Sequence, residues 1–352
     1  MLAANSNLAN DPAPESISFR EQDYFWKTIV RPIEPSLTQV ALQLNEQVEA
    51  FEPEISAYAC YALASQGKQL RPALLILSGS ATGAAITADH CTAAVIVEMV
   101  HLATLVHDDI IDEAAIRRRR PTVAAHWGNE ISVLLGDCLF AHALTLAAGF
   151  PTPEVCRAVA SATNTVCTGE ILQTLKRGKA QSSRAEYFKV LEMKTGELFA
   201  LSCDLGAFLS RAPEAERKAL RDFGRIFGTA YQIYDDCLDL FGSETSVGKS
   251  LGTDLAKGKL TLPVLALLER VRAADRIRLQ ELLRNWEPGY LPWVLELLDK
   301  HSSLQESREV IHGLIDQARA TLLSLQPSEG QKSLHGLSDF LAEQTDTLGV
   351  NS

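Results

Sequence analysis

From Thr87 to Gly242 the chain runs through long segments in which apolar residues recur at steps of three and four, and none shows sustained two-residue alternation. That period puts apolar side chains on one face of a helix, whereas a half-buried strand needs a period of two. Helices are expected over Leu37–Val48, Ala73–Ser80, Thr87 to about Ala115, Ile131–Gly149, Glu154–Arg177, Ser183–Arg211 and Ala215–Gly242. Four more are expected over Leu260–Leu283, Pro292–Leu298, Leu304–Leu325 and Gly330–Glu343. Thr87 is a suitable N-cap, and Pro72 sits where a first helical turn accepts proline. Hydrophobic residues make up 46% of the chain but aromatics only 7%, which favours helices packed through Ala and Leu. With no repeat and no interdomain linker, the expected fold is all-α: a single large helical bundle over residues 19–352, around a central cavity. Met1–Ser18, rich in Asn, Ala, Ser and Pro, is expected to be a disordered tail.

The net charge of −11 argues against nucleic acid as a partner, because phosphate backbones require clustered Lys and Arg. The seven cysteines are scattered, without a CxxC pair or a metal spacing, which suits a reducing compartment. No secretory signal and no run of 18 continuous apolar residues is visible, so a cytoplasmic protein without a transmembrane segment is expected.

Two acidic clusters interrupt the apolar segments: Asp108, Asp109 and Asp112 in HDDIIDE, and Asp235, Asp236 and Asp239 in YDDCLDL. At about 100° per residue, the first and last acid of each cluster share a helix face. Carboxylates this close repel one another unless a cation neutralises them. A solvated acidic face is the plain alternative. It fits poorly with Leu105, Val106, Ile110 and Ile111 around the first cluster, and Ile233, Tyr234, Leu238 and Phe241 around the second. Embedded acids are costly unless paired or metal-bound, and Mg²⁺ suits one or two carboxylates that share it with a phosphate. Basic residues lie near by in sequence: Lys68 and Arg71 in GKQLRP, Arg117–Arg120, Lys194 in EMKTGELFA, and Lys249, Lys257 and Lys259. Arg binds phosphate oxygens bidentately and Lys acts as a point charge. No Walker loop or Rossmann fingerprint is present in context.

Taken in order, GKQLRP, EMVHLATLVHDDIIDEAAIRRRRPT, the Gly136–Asp137 pair, GEILQ, KTGELFA, YQIYDDCLDLFG and GKSLGTDLAKGKLTLP resemble the trans-isoprenyl diphosphate synthase (polyprenyl synthetase) family, from about Phe51 to Glu343. The resemblance implies an isoprenoid-synthase type of bundle. It also implies a head-to-tail 1′-4 condensation of isopentenyl diphosphate with an allylic diphosphate, and a homodimer. The cofactor it implies is Mg²⁺, about three ions with substrate bound and replaceable by Mn²⁺. By motif position, Asp108, Asp112 and Asp235 are the principal metal ligands, with Asp109, Asp236 and Asp239 in support. Arg117, Lys194, Lys249 and Lys259 match contacts to the allylic diphosphate; Lys68, Arg71, His101 and Arg118 match the isopentenyl diphosphate site. Thr195 and Gln232 match positions that stabilise the allylic cation. Arg119 departs from the family's usual glycine after the arginine pair.

In this family bulky aromatics just before the first acidic cluster stop elongation early. This chain has Val97, Val100, Ala103 and Thr104 there, with Val97 about 16 Å below Asp108 along the helix. A medium- or long-chain product is therefore expected, with Leu144 as a deeper floor. The alternatives are a product stopped at farnesyl or geranylgeranyl length, a terpene cyclase, or a non-catalytic synthase subunit. GKQLRP, His101 and the six intact acids weigh against the last two.

Overall fold

A computed structural model describes residues 25–64, 67–178, 183–242 and 251–349. The Met1–Ser18 tail and Lys249 lie outside the described residues. Residues 25–30 are helical, and sixteen further α-helices can be placed from Glu34 onward. They are α1 (Glu34–Glu49), α2 (Pro53–Leu63), α3 (Leu70–Ala81), α4 (Ala88–Ile111), α5 (Val123–Trp127), α6 (Asn129–Ala148), α7 (Glu154–Thr174) and α8 (Arg184–Leu191). After these come α9 (Glu197–Leu209), α10 (Glu214–Phe241), α11 (Thr253–Ala256), α12 (Leu262–Arg270), α13 (Ala273–Arg284), α14 (Leu291–Lys300), α15 (Ser303–Leu322) and α16 (Glu329–Asp346). The all-α expectation holds, with short 3₁₀ turns at Arg31–Ile33 and Pro288–Tyr290 and one small exception. Between α4 and α5, β1 (Ile116–Arg117) and β2 (Arg120–Pro121) form a two-stranded antiparallel hairpin.

The apolar α4 occupies the centre, packed against α1, α3, α6 and α9. Its capping box is made by Thr87 and His90, whose other ring nitrogen lies 3.0 Å from Ser210 Oγ. The main core includes Leu74–Leu77 of α3, Ala93–Val97 and Met99 of α4, and Phe199, Phe223 and Phe227 of α9 and α10. A second apolar cluster joins Leu240 and Leu255 to α12, α13 and α14, so the end of α10 is held from both sides.

Small residues decide how closely the central helices approach. A Cβ added at Gly206 on α9 would stand 2.1 Å from the Leu75 carbonyl oxygen and 2.9 Å from the Gly79 nitrogen on α3. Backbone atoms cannot swing aside as a side-chain end can, so Gly206→Ala must separate the two helices. The expected loss of stability is about 3 kcal/mol, read from urea unfolding; a loss below about 0.5 kcal/mol would contradict this packing.

Three boundaries differ from the sequence reading in ways that shape the site. Helix α4 ends at Ile111 rather than near Ala115, which makes Asp112 its C-cap, followed by Glu113 at φ 51°. The expected helix over Ser183–Arg211 is interrupted by a π-helical turn, Glu192–Gly196, which carries Lys194 and Thr195. The expected helix over Leu260–Leu283 breaks at Val271, which is extended at ψ 152°.

Candidate active site

Asp108, Lys194, Thr195 and Gln232 come together on the wall of one cavity of about 270 Å³. Arg71, His101, His107 and Glu170 add polar groups to the lining; Leu105, Ile111, Phe140, Val166, Ile171 and Leu198 supply apolar wall. The π turn aims two of these residues. One extra residue in the turn shifts the helix register, a distortion that recurs at functional sites. Glycines on two sides let the turn fit: a Cβ at Gly169 would lie 2.9 Å from Met193 Cβ, and one at Gly196 would lie 3.1 Å from the Arg225 carbonyl oxygen. Thr195 Oγ1 donates to Gln232 Oε1 at 2.8 Å. Lys194 Nζ donates to Gln173 Oε1 at 3.2 Å, pairs with Glu170 Oε2 and lies 3.4 Å from Asp108 Oδ2. Burial works against the Lys194 cation, but Asp108 and Glu170 outweigh it and raise its pKa.

The three acids of the first cluster have different surroundings. Burial raises the pKa of Asp108, against the opposing pull of Lys194. Burial also raises Asp109, which is 6% exposed and accepts from both Nε and Nη2 of Arg117 at 2.9 Å. Burial pushes Asp112 the same way, yet Lys259, Lys257 and Lys194 overcome it and hold the carboxyl well below its ordinary value. Lys259 Nζ donates to Asp112 Oδ2 at 2.8 Å.

On α10, Asp235 is exposed while Asp236 and Asp239 are buried at 7% and 1% exposure. Gln232 Nε2 and the Tyr187 hydroxyl donate to Asp236 at 2.9 and 2.6 Å. Burial, with Asp254 and Asp235 close by, pushes Asp236 up to about 8. Asp239 turns to the start of α11. Its carboxylate accepts from the Thr253 hydroxyl and from the Asp254 N–H at 3.0 Å, and its carbonyl from the Gly252 N–H at 2.7 Å.

A smaller cavity of about 40 Å³ lies beside the first, lined in part by Gly67, Glu98, His101, Asp109, Arg117 and Arg118. Burial, reinforced by Arg71, Arg117 and Arg118, holds His101 well below its ordinary pKa, so the ring is neutral at neutral pH. Of the other two residues expected here, Arg71 lies over the Phe199 ring (4.8 Å) and Lys68 Nζ over Phe340 (5.0 Å). A Cβ at Gly67 would stand 2.6 Å from an Arg118 nitrogen, so the bare glycine admits this guanidinium.

The hairpin shows what the departure at Arg119 costs. Its two-residue loop places Arg118 and Arg119 at φ 48° and 63°, the left-handed pair that a tight hairpin turn requires. Glycine takes this conformation without the clash that the Cβ of any other L-residue makes. Arg119→Gly is therefore expected to raise stability by about 0.5 kcal/mol, visible as a higher melting temperature; a lower one would assign the Arg119 side chain a structural hold on the hairpin.

The chain-length positions divide. Thr104 lines the larger cavity, about 40° round the helix from Asp108. Ala103 stands about 140° away and packs in the core, and Val97 and Val100 are no more than 1% exposed where neighbouring helices close on them. Leu144 is 37% exposed and does not line the cavity; one turn earlier on α6, Phe140 does. The sequence reading also gave no role to Glu170, Gln173, Arg177 or Tyr187. Glu170 and Gln173 lie in GEILQ, where an acid amid apolar residues was the available signal; Arg177 and Tyr187 gave none.

Residues 52–291 match the polyprenyl synthetase family. An octaprenyl diphosphate synthase of Haemophilus influenzae is 33% identical over 272 residues, 77% of this chain and 82% of that protein. Among solved structures, a decaprenyl diphosphate synthase from Rhodobacter capsulatus superposes with a TM-score of 0.85 at 30% identity, covering 91% of this chain and 99% of the other. A polyprenyl synthase from Caulobacter crescentus CB15, solved in complex with calcium and isoprenyl diphosphate, superposes with a TM-score of 0.86 at 29% identity over 90% and 97% of the two chains. The fold and site define an all-α prenyltransferase, and the chain belongs to the polyprenyl synthetase family.

Proposed function

We propose that the protein condenses isopentenyl diphosphate with an allylic diphosphate, head to tail, to give a medium- or long-chain all-trans polyprenyl diphosphate. One observation carries this reading: Asp108, Lys194 and Glu170, joined by ion pairs, line one cavity together with Leu105, Ile111, Phe140, Val166, Ile171 and Leu198. The apolar residues suit a hydrocarbon chain, and the charged ones suit a diphosphate.

The donor set fits Mg²⁺. The candidate ligands are all carboxylate oxygens, and Mg²⁺ characteristically takes one or two carboxylates and completes its shell with substrate phosphate and water. Asp108, Asp112 and Asp235 would hold it. When bound, the ions neutralise the departing diphosphate so that the allylic C–O bond can ionise.

The chain's own groups do the rest. Lys194 and Lys259, with Lys249, bind the allylic diphosphate, and Asp109 sets the direction of Arg117. Arg71, Arg118 and Lys68 bind isopentenyl diphosphate, while neutral His101 offers a ring N–H rather than a further charge. The Thr195–Gln232 pair turns oxygen dipoles towards the developing allylic cation. The double bond of isopentenyl diphosphate attacks, and the released diphosphate takes the proton.

Helix α6 supports a homodimer. It is as long and as apolar as a membrane span, yet much of it is left unburied while it packs on α4, α5 and α7. Val133, Leu134 and Leu144 are exposed on it, and Leu175 just after α7. A second copy is the occupant we assign to this face; light scattering at the monomer mass would reject it. All seven cysteines are free, which supports a cytoplasmic site of action.

The reaction is tested by incubating the purified chain with farnesyl diphosphate, isopentenyl diphosphate and Mg²⁺. Elongation that stops on adding chelator is expected. Consumption of the allylic substrate without isopentenyl diphosphate would instead indicate a cyclase, and no elongation beyond farnesyl would reject the product length.

A further inference from the structure

Arg177 follows the last turn of α7 and reaches the first acidic cluster from outside every family motif. Its Nη1 donates to the Ile111 carbonyl at 2.8 Å, and its Nη2 pairs with Asp112 Oδ1 and lies 3.5 Å from Glu170 Oε1. The other Asp112 oxygen, Oδ2, faces Lys259 at 2.8 Å and Lys257 at 3.5 Å. Both oxygens of Asp112 therefore carry cationic partners.

These cations arrive from two turns that touch. The Gly178 N–H donates to the Gly258 carbonyl at 3.1 Å, and the two glycines have φ of 70° and 68°. A Cβ at Gly258 would stand 2.7 Å from the Gly178 nitrogen, so a side chain there would force the turns apart. The contact fixes Arg177 and the Lys257–Lys259 loop on opposite sides of one carboxylate.

We propose that Arg177 is a positioning residue that holds Asp112 in competition with a divalent ion, so that the ion takes this carboxylate fully only when a diphosphate arrives to accept the displaced cations. The inference rests on the reading that the acidic clusters bind divalent ions. A carboxylate oxygen in a charge-assisted bond to a guanidinium must give up that bond before it ligates a metal. A diphosphate offers several anionic oxygens to the freed guanidinium, which suits Arg's forked geometry. Ion and diphosphate then tighten one another's binding by the same factor. Catalytic metal is thereby kept scarce at the site until the substrate's charged end is present.

The test is Mn²⁺ binding to the full-length chain by electron paramagnetic resonance, with and without inorganic diphosphate. Arg177→Gln is expected to bind Mn²⁺ alone about tenfold more tightly than wild type, and to lose a similar factor from the tightening that diphosphate brings. Arg177→Lys, which keeps a cation, should restore part of the wild-type pattern. Lys176→Gln removes the adjacent cation, which pairs with Glu186, and should leave both titrations where they are. An Arg177→Gln variant that melts earlier but titrates like wild type would mean a purely structural residue and overturn the proposal, as would weaker Mn²⁺ binding. If wild type binds no Mn²⁺ under either condition, the metal reading itself falls.

Discussion

Asp108→Asn is expected to lower turnover by about 10³-fold while the protein keeps its helical circular dichroism and its mass in solution. Asparagine matches the carboxylate in size and removes only its charge. That charge has two uses at the cavity wall: it faces Lys194 at 3.4 Å, and it is the first-cluster acid that lines the larger cavity. Lys194 retains Glu170 as a partner, so the substitution does not strand a buried cation and the fold should survive. Asp239→Asn separates the site from its scaffold. Asp239 is 1% exposed and anchors Thr253 and Asp254, so its loss should appear first as reduced thermal stability, by about 2 kcal/mol. A variant Asp108→Asn that keeps near wild-type turnover at saturating Mg²⁺ would remove the metal reading from the first cluster.

Phe140→Ala is expected to shift the product towards longer chains. Phe140 of α6 and Thr104 of α4 line the same cavity, and shortening Phe140 opens the wall without removing an acid or a lysine. Thr104→Phe should act in reverse and stop elongation earlier, because it places a ring on the cavity wall within about one turn of Asp108. Leu144→Ala should leave the product spectrum as in wild type, since that side chain is 37% exposed away from the cavity. Chain lengths from farnesyl and isopentenyl diphosphates, separated by chromatography, decide among these. If Leu144→Ala lengthens the product and Phe140→Ala does not, the cavity described here is not the path of the growing chain.

The placement of Leu144 shows where sequence reading stops. Phe140 and Leu144 are one turn apart on α6, and the helical period assigns them nearly the same face. Only the angle at which α6 passes the cavity distinguishes them. The same limit applies to α4: its period could put Val97 and Thr104 on one face, but not show that the helices around Val97 close completely over it.

By itself, the sequence determined the all-α architecture, because apolar spacing at three and four residues is a local property that each segment carries on its own. It also determined the chemistry to look for, because two acidic clusters in apolar helices demand compensating cations wherever they fold. Tertiary structure alone decided which cation meets which acid. Arg177 and Lys259 are 65 and 147 residues from the Asp112 they share, a convergence created by two glycine turns in contact and invisible to any periodicity. It likewise decided that Asp239 holds the start of α11 while Asp108 lines the cavity, because a carboxylate's role is set by the groups that the rest of the fold brings within hydrogen-bonding distance.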